Sequence, residues 1–250
     1  MIGRRDFVTG VLVGAAGMGL AGGAGVAAWR HGVDAQARGD ASLSYAQMGE
    51  DLVLDKLLRD AMRIERPTYL DIGAADPIVA SNTYLQYLRG GHGVLVEPNP
   101  AYQAPLHRHR PHDVIVNAGV GVDDATEADY YVIRDAPMRN TFSKDDVEFL
   151  RKRSGQDVVE RVLKMRLIAI NRLIAEYCGG TPDLLSTDVE GLDFAILQTL
   201  DFDKYRPAVV IAESQPNGPI PALLAAKGYE MRGASMYNLI FADPKRYVRA

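Results

Sequence analysis

Acidic side chains follow the predicted strands of this chain at the points where an α/β sheet binds ligands. These residues are Asp71, Glu97, Asp188, Glu190 and Glu213. Because ligands of open α/β sheets bind beyond the carboxyl ends of the strands, we expect these carboxylates to surround one site. Their shared charge favours a cationic ligand, and a carboxylate with a raised pKa could accept a proton there.

The loop after the first strand separates two possible cofactors. A dinucleotide-binding fold needs Gly-x-Gly-x-x-Gly here, whereas in YLDIGAADP the residues Ala74, Ala75 and Pro77 follow Gly73. Asp71 would also repel a pyrophosphate, but it would attract the ammonium and sulfonium groups of S-adenosylmethionine. The loop therefore predicts S-adenosylmethionine rather than a nicotinamide dinucleotide.

The next two strands supply further candidates for holding this cofactor. Glu97 ends GVLVE and could bind a ribose diol through both carboxylate oxygens. The sequence PNP that follows predicts a tight turn directly after it. The third strand ends at Asn117, which we also assign to cofactor binding.

The elements that must position these residues alternate between strand and helix. The predicted strands are TYLDI, GVLVE, DVIVNAGVG, DLLSTDVE and AVVIAE, and a hairpin is predicted over 228–243. This pattern predicts an α/β fold of the Rossmann-like class I methyltransferase type, with a mostly parallel sheet and an antiparallel hairpin at the C-terminus. The segment 123–164 is either a cap over the site or a solvated surface insertion, and we favour the second.

An ordered set of motifs after residue 44 resembles the FkbM-type methyltransferases. The motifs are YAQMGEDLVLDKLL, YLDIGAADP, SNT, GVLVEPNP, STDVEGLDFAILQTLDFDKYRP and VVIAE. The resemblance implies a seven-stranded Rossmann-like sheet, S-adenosylmethionine as the cofactor, and methylation of a hydroxyl, commonly on a sugar or glycan. It assigns cofactor binding to the first loop, the Ser-Asn-Thr element and the acid of the second strand, and it singles out an Asp-x-Glu-Gly element; the residues are Asp71, Gly73, Ala74, Ser81, Asn82, Glu97, Asp188, Glu190 and Gly191.

Three acids at the ends of the later strands are candidates for the chemistry. Asp188 and Glu190 are the predicted catalytic residues, and Glu213 is predicted to bind the substrate. The alternative for Asp188 and Glu190 is capping of the helix that starts near Leu192.

Composition limits the other classes of function. The chain has 250 residues, of which 47% are hydrophobic and 24% charged, enough for one large domain. Its net charge is −4 without a basic face, so nucleic acid is not an expected partner. Cys178 is the only cysteine, which excludes an intramolecular disulfide and a cysteine-rich metal site. We predict no metal, and we interpret the segment HRHRPH as a solvated helix end.

The first 37 residues differ in composition from the rest. Arg4 and Arg5 precede a Gly- and Ala-rich apolar run, and DAQA resembles a cleavage site after Ala37. We predict that residues 1–37 are a twin-arginine-like export signal, or else a membrane anchor that could leave the domain on the cytoplasmic face. Residues 38–250 are then the single domain. Because S-adenosylmethionine is cytosolic, an exported non-catalytic binding or structural protein is the alternative function.

Overall fold

The structure is a computed structural model that describes residues 42–248. The predicted targeting segment 1–37 lies outside this range. Among the helices of the described range, none combines the length and the apolar character needed to span a bilayer.

The described residues form strands and helices that mostly alternate along the chain. The strands are β1 (Thr68–Ile72), β2 (His92–Val96), β3 (Val114–Val116), β4 (Gly119–Gly121), β5 (Glu127–Ile133), β6 (Val159–Ala169), β7 (Leu184–Thr187), β8 (Val209–Glu213), β9 (Glu230–Ala234) and β10 (Asn238–Ala242). The α-helices are α1 (Glu50–Asp55), α2 (Tyr84–Leu88), α3 (Pro100–His109), α4 (Lys144–Ser154), α5 (Ile170–Tyr177), α6 (Asp193–Thr199) and α7 (Pro219–Ala226). A π-helical turn at Lys56–Ala61 extends α1, and 3-10 turns occupy Pro137–Arg139 and Pro244–Arg246.

The main sheet has seven strands in the order β3-β2-β1-β7-β8-β10-β9. The first five are parallel, and β10 pairs antiparallel with both β8 and β9. Its central strands are buried on both faces, with Leu70 and Ile72 in one core and Tyr69 in the other. The predicted fold class is confirmed, including the C-terminal hairpin.

A second sheet has three strands in the order β4-β6-β5 and includes residues of the insertion. This sheet was not predicted from the sequence. The predicted strand DVIVNAGVG is in fact two strands, because the backbone turns at Ala118 and β4 leaves the main sheet to pair with β6. Gly119 permits this, since a Cβ there would lie 2.4 Å from the Phe142 ring. The long strands β5 and β6 pair antiparallel with each other.

Candidate cofactor and catalytic site

A cavity lies beyond the carboxyl ends of β1, β2 and β7, beneath the insertion. Its volume is about 560 Å³, including the part open to solvent. Backbone and apolar groups of the strand ends form its floor. Its polar lining includes Glu97, Asn140, Thr141, Asp188 and Glu190.

Gly73 brings two strand ends together at the floor of the cavity. Its N–H donates to the Val96 carbonyl at 2.9 Å, and its φ is +86°. A Cβ at this position would lie 2.0 Å from the backbone oxygen of Asp188. Only glycine therefore allows β1 and β7 to end this close together, which leaves the floor free for a ligand.

Glu97 lies at the end of β2 and is only 3% exposed. Its Oε2 accepts a hydrogen bond from the Ala75 N–H at 2.9 Å, and its Oε1 accepts one from the Asn99 N–H at 2.6 Å. Burial raises the pKa of Glu97 to about 7, and the charge of Asp71 adds to the rise. Each carboxylate oxygen has a second lone pair, so both can still accept from ribose hydroxyls.

Asp188 and Glu190 line the cavity side by side after β7. Burial, together with the charges of Asp71 and Glu50, raises the pKa of Asp188 to about 6. Burial likewise raises the pKa of Glu190 to about 7, against the opposing charge of Arg139. Both groups can thus take up and release protons near neutral pH.

The insertion holds Glu190 through two contacts. Nη2 of Arg139 lies 3.2 Å from Oε2 of Glu190, and the Thr141 hydroxyl donates to the Glu190 carbonyl at 3.1 Å. Glu190 itself has a left-handed φ of +52°, a conformation that costs free energy and needs such support. The insertion therefore fixes the acidic turn after β7.

Two further acids stand behind this turn. Glu213 does not line the cavity, but burial and the charges of Asp188, Asp193 and Glu190 raise its pKa to about 8. Asp193, at the start of α6, is 3% exposed and has its pKa raised to about 7, mainly by burial. The sequence reasoning missed Asp193; its place two residues after the Asp-x-Glu-Gly element was the available signal.

Several predicted cofactor residues are not in the cavity lining. Ala75 lines it in place of Ala74. The Ser81 hydroxyl accepts from the Tyr84 N–H at the start of α2, and the Asn82 amide donates to the Ser186 hydroxyl at 3.3 Å. Both residues are buried, and their side chains bind other parts of the protein.

Asn117 and Asp71 also lie outside the cavity lining. The Asn117 amide donates to the carbonyls of Glu97 and Pro98 and so fixes the turn after β2. Asp71 is buried beside Thr83 on the other face of β1, because neighbouring residues of a strand point to opposite faces.

The interpretation of 123–164 as a solvated insertion is wrong. Side chains from this segment line the cavity opposite the strand ends; they are Tyr130, Pro137, Met138, Asn140, Thr141 and Phe142. The ring of Tyr130 packs on Phe142 with centroids 4.7 Å apart. The segment is therefore part of the site.

A comparison with known protein families shows which family this chain belongs to. The model of the methyltransferase FkbM domain matches residues 71–231. The chain belongs to the FkbM methyltransferase family. S-adenosylmethionine is accordingly its cofactor, and the glycine floor, Glu97 and the acidic surroundings fit such a cation. No curated protein matches the chain.

Three solved methyltransferase structures are similar to this chain at low identity. A TehB-like SAM-dependent methyltransferase from Corynebacterium glutamicum is 10% identical over 87% of this chain and 95% of its own, with a TM-score of 0.40. Precorrin-6y C5,15-methyltransferase from Geobacter metallireducens is 12% identical over 80% and 91%, with a TM-score of 0.39. The 1,6-didemethyltoxoflavin-N1-methyltransferase from Burkholderia thailandensis, with S-adenosylhomocysteine bound, is 14% identical over 89% and 90%, with a TM-score of 0.34. The assignment rests on the family match and not on these structures.

Proposed function

We propose that this FkbM family member methylates a hydroxyl group of a small polar acceptor such as a sugar. The observation that supports the proposal is Asp188, a carboxylate that lines the cavity with its pKa raised to about 6. A general base works best when its pKa is close to the working pH. Burial and the charge of Asp71 bring Asp188 into that range.

The residues around the cavity divide the work between proton transfer and positioning. S-adenosylmethionine supplies an electrophilic methyl group when bound. Asp188 accepts the proton of the acceptor hydroxyl, and Glu190, fixed by Arg139 and Thr141, accepts a hydrogen bond that orients the acceptor. Fixing the acceptor in this way removes much of the entropic part of the barrier.

The lining favours a neutral acceptor that is rich in hydroxyl groups. Met138 and Phe142 offer apolar surface, while Asp188 and Glu190 offer hydrogen-bond acceptors. Carboxylates attract hydroxyl donors and repel phosphate or carboxylate groups. Because Glu213 adds a further acid behind them, we expect anionic sugars to be poor acceptors.

Purified protein without residues 1–37 tests the proposal. It is incubated with methyl-labelled S-adenosylmethionine and matched acceptors, namely neutral sugars and glycosides, sugar phosphates, amines and thiols. We expect label on a hydroxyl oxygen of a neutral sugar and much less on the corresponding phosphate. Transfer confined to nitrogen or sulfur would overturn the proposal. Absence of cofactor binding would instead favour a non-catalytic protein.

A further inference from the structure

Arg110 is the one cation among the buried side chains that the structure describes. It is 1% exposed, lies outside the cavity lining, and belongs to the segment HRHRPH at the end of α3. Its guanidinium carbon lies 5.4, 5.6 and 4.8 Å from the ring centroids of Tyr69, Tyr84 and Tyr87. A charge buried this deeply is unfavourable unless its donors have partners.

The guanidinium of Arg110 donates to four groups. Its Nε donates to Oδ2 of Asp113 at 2.8 Å, and its Nη1 donates to the carbonyl of Pro77 at 3.2 Å. Its Nη2 donates to the Tyr69 hydroxyl at 2.9 Å and to the Thr83 hydroxyl at 3.1 Å. Arg110 therefore ties the loop after β1 to the end of α3.

These bonds fix the direction of the Thr83 proton. An arginine only donates, so the Thr83 oxygen accepts from Arg110 and its single proton is free for another acceptor. That acceptor is Oδ2 of Asp71, 2.6 Å from Oγ1 of Thr83. The chain of bonds from Arg110 through Thr83 thus makes Oδ2 of Asp71 an acceptor and keeps a proton off that oxygen, which favours the ionised carboxylate.

A second branch reaches Asp71 from the neighbouring strand. The Asn82 amide donates to the Ser186 hydroxyl at 3.3 Å, which leaves the Ser186 proton for Asp71. Burial raises the pKa of Asp71 above its usual value, and hydrogen bonds from Thr83 and Ser186 and the charge of Arg110 offset part of this rise. The Ser-Asn-Thr element therefore serves Asp71 through Asn82 and Thr83.

The charge of Asp71 acts on the cavity without lining it. It raises the pKa values of Glu97 after β2 and Asp188 after β7, which both do line the cavity. The other charged groups that face Asp71 are Arg110 and Asp113, from the end of α3 and the turn after it. A negative charge on Asp71 would thus act on two residues of the cavity lining.

We propose that Arg110 and Thr83 are positioning residues that keep Asp71 ionised behind the cavity. The charge of Asp71 then favours S-adenosylmethionine, which carries a sulfonium, over S-adenosylhomocysteine, whose sulfur is neutral. This preference promotes the release of the demethylated product. It concerns the cofactor alone and does not depend on the identity of the acceptor.

Thr83→Val tests the proposal because it keeps the side-chain shape and removes the hydroxyl. Titration calorimetry with each ligand gives the ratio of the two affinities in wild type and variant. We expect the preference for S-adenosylmethionine to fall by about tenfold, the size of a Coulomb interaction across one layer of side chains. The loss of preference in the variant should become smaller at higher pH, because raising the pH restores the ionisation of Asp71.

The matched control is Thr83→Ser, which keeps the hydroxyl and should therefore keep the wild-type ratio of the two affinities. Arg110→Lys is the second variant, and it keeps the charge but has too few donors for all four partners. It should also lower the ratio of the two affinities. It therefore still tests the proposal if Thr83→Val is too unstable to titrate. An unchanged ratio in the folded variants, with both ligands weakened equally or not at all, would overturn the proposal and leave the network a structural role only.

Discussion

Asp188 is the residue whose charge the proposed reaction uses most directly. Asp188→Asn keeps the shape of the side chain but removes its capacity to take a proton. We expect the methylation rate to fall by about 10²- to 10⁴-fold, the usual contribution of a positioned general base. Cofactor affinity should change little. Transfer rate and cofactor binding are measured on one preparation of the variant.

The matched control for this change is Asp203→Asn, an exposed aspartate in the turn after α6. It should leave both the methylation rate and the cofactor affinity unchanged, because it removes an equal charge from a residue that lies outside the cavity lining. Normal turnover in Asp188→Asn would instead transfer the role of the base to Glu190, the other acid beside it in the cavity lining.

Arg139 sets the pH range in which the acids of the site are ionised. It is 43% exposed and lowers the pKa values of Asp188, Glu190 and Glu213. Arg139→Gln should therefore raise all three pKa values, so the rise of kcat/KM on the acidic side moves to higher pH. We expect a shift of roughly 0.3 to 0.7 pH units, because a half-exposed ion pair contributes less than about 1 kcal/mol.

The pH profile of kcat/KM for wild type and variant measures this shift. Arg134→Gln is the control, since Arg134 is an exposed arginine of the same insertion. A profile that stays in place in Arg139→Gln, or moves equally in both variants, would contradict the role given to Arg139.

At the scale of elements, the site depends on how close the end of β1 lies to the end of β7. Gly73→Ala places a Cβ 2.0 Å from the backbone oxygen of Asp188, so one strand end must move. We expect cofactor binding to be lost and the free energy of unfolding to fall by more than backbone strain alone explains. Calorimetric titration and chemical denaturation measure the two effects.

Gly155→Ala is the control that isolates backbone strain. Its φ is +71°, and nothing lies within 4 Å of an added Cβ. It should lower the free energy of unfolding by about 1 to 2 kcal/mol, the cost of a left-handed residue with a side chain. Equal effects of the two substitutions would show that the contact between Gly73 and Asp188 does not matter.

The sequence predicts the main elements well because their signals are local. Helix α3 follows from Asn99, whose side chain accepts from the Ala101 N–H, and from Pro100 at its first turn. The hairpin β9–β10 could be predicted because the segment 228–243 contains no long polar break. The pairing of β4 with β6 could not be predicted, because β4 leaves its predicted strand beside Phe142, more than twenty residues away.

The site was predicted less completely, for the same physical reason. Strand ends place Glu97, Asp188 and Glu190 at the cavity, as the alternation of elements requires. In contrast, the burial of Arg110 depends on tyrosines from β1 and α2, and nothing within HRHRPH indicates it. Networks formed by distant segments leave no periodic signal.

At the scale of the whole molecule, the described residues 42–248 form a seven-stranded sheet and a cavity at the ends of its strands. We therefore propose that 38–250 is a single domain that needs nothing from residues 1–37 to bind its cofactor. The chain without 1–37 should bind S-adenosylmethionine as tightly as the full chain, by titration of both. Weaker binding in the shortened chain would make residues 1–37 part of the binding unit.

We further propose that residues 1–37 direct the chain to the export pathway that reads paired arginines. The basis is Arg4 and Arg5 ahead of a Gly- and Ala-rich apolar run. Because that pathway reads the arginines themselves and not merely their charge, Arg4→Lys with Arg5→Lys should reduce export, measured by fractionation and immunoblotting. Arg30→Lys with Arg38→Lys, beyond the apolar run, is the charge-matched control and should export normally. A wild-type chain found full length and wholly in the soluble cytosolic fraction would rule out both export and anchoring, and would place the enzyme beside its cofactor supply.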